Sequence, residues 1–277
     1  MNMTTCVGAL PYWDNFARVY EALVSPLIPT GDDLRFTEGA VENWACNHPG
    51  QRLDALLLGA TPAIAGMRWP KGSWLTAIDR SMEIATIIWP GNIPGKRSVV
   101  CGDWLDLPLK QASCSVVIGD CAINCLRYPD GFRRLMASVR DVLRDDGIFV
   151  MRSFVQPDQQ EDPEAVFADR FQCANFHHFK LRLMMAMQRS VEQGIPVNEV
   201  YRFWTSQRVD RESLSLRTGW DRREIETIEL HNGPNTVHTF PTIQELQSVL
   251  GEFFGEMGKC VPSYPGGDLC PTLVLRP

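Results

Sequence analysis

The residues of this 277-residue chain with the clearest chemical potential are acids placed at the ends of apolar runs. Asp79 closes SWLTAID, Asp103 follows RSVVCG and Asp120 closes CSVVIGD, while an earlier run, LDALLLG, ends at Gly59 and continues as Ala60, Thr61 and Pro62. A carboxylate about twenty residues after a glycine turn accepts hydrogen bonds from both hydroxyls of a ribose, each contributing roughly 1.5–3 kcal/mol gross. An acid followed by an aromatic, as in Asp103-Trp104, suits the amino group and ring of an adenine. Gly59 permits close backbone approach, and Pro62 fits the first position of a helix, where its missing N–H costs nothing. A single Asp after a strand is more often a turn former or helix cap. Three in succession, in register with a glycine turn, point to an adenosine-containing ligand.

The elements that must position these acids follow from the apolar pattern. The runs at 53–59, 73–79, 97–103, 114–120 and 147–153 are near-continuously apolar, the signature of parallel strands covered on both faces. Between the fourth and fifth, Phe132, Leu135, Met136, Val139 and Leu143 form a helical stripe, giving a right-handed βαβ crossover. The fold class is therefore α/β, an open doubly wound sheet, in which ligands bind outside the carboxyl ends of the strands. Ahead of the runs, Trp13, Phe16, Ala17 and Tyr20 recur at helical spacing, a stripe for packing on the core or for closing over a ligand. After Phe154 the alternation stops. The chain continues as a Phe-, His- and Met-rich helical segment from Asp162 to Glu192 and a second from Asp221 to Leu230. It then returns to sheet-like material as TVHTFPT, a helix from Ile243 to Phe254 and a terminal CPTLVLRP strand. The expected organisation is an N-terminal helical cover (1–45), a ligand-binding core (46–155), a helical insertion or lid (156–232) and closing strands (233–277).

A net charge of −6 lacks the basic stripe that neutralising phosphates demands, so no nucleic acid partner is expected. The longest apolar stretch, Ala55 to Met67, is interrupted by Gly59, Pro62 and Gly66 and falls short of the roughly 20 residues that span a bilayer, so no membrane association is expected. MNMTTCVGALPYWDNF carries no basic segment followed by an apolar one, and a cytoplasmic location is the expectation. The nine cysteines are odd in number and include no CxxC pair, which disfavours a disulfide framework or a zinc site. Cys121 and Cys125 share a helical face but lack companion ligands; no metal is expected, and the thiols read as buried and reduced.

LLLGATP, LTAIDRS, VVCGDWLDLPL, CSVVIGD and LRDDGIFVMRSF, in that order and spacing across about residues 50–155, resemble the class I S-adenosylmethionine (SAM)-dependent methyltransferases. The resemblance implies SAM as cofactor and a mostly parallel, seven-stranded Rossmann-like sheet with an antiparallel final strand beside the sixth. It further implies Gly59, Ala60 and Thr61 beside the methionine moiety and ribose, Asp79 with its neighbour Arg80 on the ribose, and Asp103 with Trp104 on the adenine. Gly119 and Asp120 would lie near the amino acid end or the acceptor, and Trp13 and Tyr20 over the donor. Leu57 stands where the family carries an acid, and Ala60 to Pro62 replace its later glycines. A Rossmann dehydrogenase also wants an acid about twenty residues on, but its GxGxxG turn must cradle a pyrophosphate, and only Gly59 and Gly66 are available. SAM has no phosphate and tolerates a glycine-poor turn.

Methyl transfer from a sulfonium is an in-line displacement on an activated electrophile, so a protein supplies alignment, desolvation and, for a protonated acceptor, a base. GDCAINCL follows the fourth strand where an Asn-Pro-Pro-Tyr motif would mark a nucleobase or amide nitrogen acceptor. Candidate bases are His177 and His178 on the insertion and Tyr128, with Asn124 and Tyr201 as lesser ones; a solvated or capping pair is the plainer account of the histidines. The reading is methylation of a small, partly apolar molecule held by the Phe-, Met- and Trp-rich insertion. A non-catalytic SAM- or S-adenosylhomocysteine-binding protein and a nicotinamide-dependent oxidoreductase are the alternatives.

Overall fold

The computed structural model describes residues 10–277; Cys6 and the first nine residues of the expected cover lie outside them. Among the described residues there are nine strands: β1 (Asp54–Leu58), β2 (Trp74–Asp79), β3 (Arg97–Cys101), β4 (Cys114–Asp120), β5 (Leu143–Arg152), β6 (Ile195–Pro196), β7 (Val237–His238), β8 (Gly255–Cys260) and β9 (Thr272–Arg276). Seven of them form one sheet in the order β3-β2-β1-β4-β5-β9-β8. β1 to β5 pair in parallel, and β9 runs antiparallel to both β5 and β8. Strand order reverses between β1 and β4, which opens a crevice at their carboxyl ends.

The closing region differs from expectation in one respect. TVHTFPT is not a strand of this sheet: only Val237 and His238 are extended, and they pair with Ile195 and Pro196 in a separate two-stranded ladder. The sixth strand of the sheet is β8, GEMGKC. It lies at the edge and needs no apolar run, which is why its sequence did not announce it.

Eleven α-helices accompany the strands: α1 (Pro11–Arg18), α2 (Gly31–Asn47), α3 (Pro62–Ala65), α4 (Met82–Ile87), α5 (Asp130–Val142), α6 (Pro163–Ala168), α7 (Phe176–Met187), α8 (Val197–Ser206), α9 (Arg211–Thr218), α10 (Arg222–Glu226) and α11 (Ile243–Leu250). α5 buries Phe132, Leu135, Met136, Val139 and Val142 on one face, and Leu143 belongs instead to the first residue of β5. α2 starts with a capping box between Thr30 and Asp33 and is fixed to β5 where Trp44 Nε1 donates to the Asp146 carbonyl at 2.7 Å. The helix expected over 162–192 is broken. Asn175 accepts from the His178 N–H and caps a new helix, α7, after a tight turn at Asp169–Gln172.

The insertion packs around an aromatic cluster that it shares with Tyr12 of α1, Phe154, Phe240 and Leu269. Phe176 and Phe179 of α7 pack against Trp204 of α8 and Trp220, with ring centroids 5.4–6.0 Å apart. Asn124, in the turn after β4, links the end of β5 to Thr239, next to the small ladder that β6 forms with β7. The Asn124 amide donates to the carbonyls of Phe154 and Thr239, both at 2.8 Å, and its Oδ1 accepts from Phe154 N at 2.9 Å. This use of every polar atom corrects the reading of Asn124 as a candidate base. Among the described cysteines Cys101 is disulfide-bonded, contrary to the expectation of reduced thiols throughout, and the other seven are free. No helix among the described residues is long and apolar enough to cross a membrane.

Asn124→Ala leaves two buried main-chain groups, the Phe154 N–H and the Thr239 carbonyl, without partners, at about 1–3 kcal/mol each, while the Phe154 carbonyl keeps the Ser153 hydroxyl. Urea denaturation should show a loss of about 2–5 kcal/mol; a loss below about 1 kcal/mol would show that the clamp does not stabilise the fold.

Candidate functional site

A cavity of about 260 Å3 lies at the crevice between β1 and β4. The turn after β1 forms part of its floor. Gly59 has φ +102°, a conformation that suits glycine, and a Cβ there would stand 3.7 Å from Trp104 Cζ2 and 3.8 Å from Asp79 Oδ2. The turn is held by Gly59 N donating to the Ile78 carbonyl at 2.8 Å, and the same carbonyl accepts from Trp104 Nε1 at 2.6 Å. A glycine turn, a carboxylate and an indole therefore meet within van der Waals reach.

Asp79 ends β2 and is 7% exposed. Burial pushes its carboxyl up to about 6, with the Ser81 and Arg80 N–H groups opposing the shift, so it is mostly ionised at neutral pH. Oδ1 accepts from Ser81 N at 2.9 Å. Ser81 Oγ in turn donates to Asp14 Oδ1 of α1 at 3.1 Å, so α1 is tied to the loop that carries Asp79. Trp13, Phe16 and Tyr20 line the cavity from that side.

Asp103 and Arg80 also line the cavity and approach one another at 3.9 Å, both partly exposed. Asp103 Oδ1 accepts from Leu105 N at 3.0 Å, so one of its oxygens serves its own turn. Asp120 is committed more fully. Its Oδ1 accepts from Arg152 Nε at 2.7 Å and its Oδ2 from Thr61 Oγ1 at 2.9 Å, in a pair whose side chains are 7% and 5% exposed. Arg152 also donates to the Pro26 carbonyl at 2.9 Å. Asp120 thus shapes the wall while its carboxylate is neutralised within the protein.

Gly59, Ala60, Thr61, Asp79, Arg80, Asp103, Trp104, Asp120, Trp13 and Tyr20 all border this cavity. Gly119 does not: it is inside β4, where its Cα faces Phe149. The candidate bases also fall elsewhere. His177 is fully buried with Nε2 against the Ala22 carbonyl at 2.9 Å, because the phase of α7 turns it toward the N-terminal segment. His178 faces the Gly266 turn, and its Nδ1 accepts from Ala174 N at 3.4 Å. Tyr128 packs edge-on to Phe132 at 5.4 Å, on the α5 side of the sheet, and Tyr201 donates to Glu229 Oε2 at 3.0 Å near the surface.

In their place the structure brings Tyr12, Lys180, His231 and His238 to the cavity. The sequence carried one signal for this set, a lone lysine in the apolar run FHHFKLRLMM. His231 and His238 lie outside any regular α-helix, so no periodicity could aim them.

No family model and no curated protein matches the chain. Among solved structures it is similar to a SAM-dependent methyltransferase from Methanosarcina mazei, at 14% identity over 83% of this chain and 95% of that one with a TM-score of 0.50. It is similar to the CurJ carbon methyltransferase at 11% identity over 96% of this chain and 59% of that one, with a TM-score of 0.54. It is also similar to a protein from Rhodobacter sphaeroides provisionally described as a Zn-dependent alcohol dehydrogenase, at 11% identity over 94% and 96% of the two chains, with a TM-score of 0.57. At these identities the likeness establishes the fold. With the strand order and the antiparallel β9, the fold is the Rossmann-like fold of class I SAM-dependent methyltransferases.

The Asp120–Arg152 pair generates a stability prediction. Arg152→Leu leaves a buried carboxylate unpaired and should cost about 3–5 kcal/mol, whereas the Asp120→Leu/Arg152→Leu double variant should recover most of it. Chemical denaturation of the natural chain and the two variants checks this; a double variant no more stable than Arg152→Leu would mean that the two groups do not act as a pair.

Proposed function

We propose that the chain transfers a methyl group from SAM to a small, partly apolar molecule. The observation that carries this reading is Asp79: a buried, ionised carboxylate whose Oδ2 borders the Gly59 turn and Trp104 within one cavity. These residues fit the donor. Asp79 would accept from the ribose hydroxyls, the Gly59–Thr61 turn would lie along the ribose and methionine portions, and Trp104 with Asp103 would flank the adenine. Bound there, SAM supplies a methyl group already activated for in-line displacement. The chain's own part is to fix that geometry and exclude water. α1 and the turn after it contribute to both, since Trp13 of α1 and Tyr20 of the following turn line the cavity and Asp14 anchors the helix to Ser81.

The small size of the acceptor is supported by the cavity itself. About 260 Å3 lies just below the usual range for small-ligand sites, and the lining includes the apolar Met184, Leu230 and Phe240. The nicotinamide alternative is disfavoured by the floor. The turn is Gly-Ala-Thr-Pro, with Thr61 engaged by Asp120, where a pyrophosphate would need a run of free glycine amides. Among the described residues no group of three or more His, Cys, Asp or Glu is arranged to hold a metal ion.

S-adenosylhomocysteine should bind, and Asp79→Ala should weaken it by about tenfold or more through loss of the paired ribose bonds. Isothermal titration with S-adenosylhomocysteine and with NADH separates the readings: unchanged affinity in the variant removes the ribose assignment, and NADH binding in preference overturns the methyl-transfer reading. A turnover assay with labelled SAM separates an enzyme from a non-catalytic binder.

The pH dependence has a definite sign. Ribose hydroxyls donate to the ionised carboxylate, so the ligand selects the deprotonated form of a group that titrates at about 6. Affinity should be level above about pH 7 and fall as pH drops through 6, approaching about tenfold per pH unit. Asp79→Asn should flatten that profile; a wild-type affinity independent of pH between 5 and 7 would show that Asp79 is not the acceptor of those bonds.

A further inference from the structure

The polar lining of the cavity is divided by charge. Its carboxylates, Asp79, Asp103 and Asp120, stand at the strand ends. The opposite wall carries none: its polar groups are Lys180 of α7, His231, His238 beside the small ladder, and Tyr12 of α1. Lys180 is 3% exposed, and its Nζ donates to a neutral hydroxyl, Thr227 Oγ1, at 3.3 Å and lies 5.8 Å from the Phe176 ring centroid. Among the described residues it belongs to no ion pair, and burial alone pushes its ammonium down to about 7. An ammonium removed from water without a counter-charge costs several kcal/mol, and such groups are retained where something else supplies the charge.

The groups facing Lys180 sharpen this. His177, His231 and His238 all lie close enough to feel its charge, and burial together with that charge holds each below the usual histidine range, so they are neutral. His231 is 2% exposed, and its buried Nδ1 has no hydrogen-bond partner among the described residues. His238 Nε2 and the Tyr12 hydroxyl share a hydrogen bond at 3.3 Å, and the Tyr12 and His231 rings lie 6.2 Å apart. Among the described residues the wall is therefore one ionisable amine without an anion, surrounded by neutral groups able to donate hydrogen bonds, and set in the apolar surface of Met184, Leu230 and Phe240.

We infer that this wall is a subsite for an organic acid: the acceptor is a small molecule whose carboxylate sits against Lys180, with His231 and Tyr12 as further hydrogen-bonding groups and its apolar body between Met184 and Phe240. The inference rests on the methyl-transfer reading and names the class of its acceptor. A carboxylate supplies the missing counter-charge and draws Lys180 to full protonation. A neutral amide of the same shape leaves the ammonium uncompensated, and a cation is repelled.

The test uses the full chain saturated with S-adenosylhomocysteine and compares phenylacetate with phenylacetamide by calorimetric titration. The acid should bind at least about tenfold more tightly than the amide, and the preference should vanish in Lys180→Met. Equal affinities, no binding of the acid at millimolar concentration, or a preference that survives in Lys180→Met each overturn the subsite. A second measurement guards against misfolding: without ligand, Lys180→Met should melt at the same temperature as the natural chain or higher, and a fall of several degrees would show that the lysine serves the fold instead. The preceding S-adenosylhomocysteine titration reports on the donor assignment separately. If it fails while the free protein still prefers the acid, the methyl-transfer reading falls and the acid subsite stands.

Discussion

The ion pair between Asp120 and Arg152 is the constraint on which the cavity depends. It joins the last residues of β4 and β5, neighbours in the sheet, and each partner reaches further: Asp120 to Thr61 in the turn after β1, Arg152 to the carbonyls of Pro26 and Leu27. A pair taken out of water stabilises a fold only when its remaining donors and acceptors are also engaged. Here they are, so three strand ends and the N-terminal segment converge on one point. The floor of the cavity is set by that convergence. An acid that reads in sequence as free for a ligand is, in the fold, the counter-charge of an arginine.

Around this fixed floor the two halves of the site are built differently. One half consists of short turns at the ends of parallel strands, where main-chain hydrogen bonds hold Gly59, Trp104 and Asp79 in place. The other is carried largely by the insertion, whose aromatic packing continues into Tyr12 and Phe154 outside it. Lys180 and Met184 project from a helix that is buried on almost every side. A pocket wall formed by a packed body is positioned as firmly as the strands, which suits recognition of one charged group.

How much of this was legible in the sequence follows from where periodicity exists. Parallel strands buried on both faces read as continuous apolar runs, so the positions of Gly59, Asp79, Asp103 and Asp120 at their ends could be found by counting. α7 is different. It is apolar nearly all round, so its sequence does not say which face meets the sheet, and the adjacent His177 and His178 drew attention that belonged to Lys180 one turn away. β8, a sheet edge rich in Gly, Glu and Lys, has no apolar run, whereas TVHTFPT reads as sheet-like and pairs outside the main sheet. Arg152 was visible as a residue, but its partner could be identified only once β4 and β5 were side by side.

α1 touches both halves: Asp14 holds the loop of Asp79, while Tyr12 meets His238 on the opposite wall. A helix of two turns with one anchor in each half moves as a unit. The two halves of the cavity thus share one short covering element, and the spacing between the strand-end turns and the small ladder is set through it.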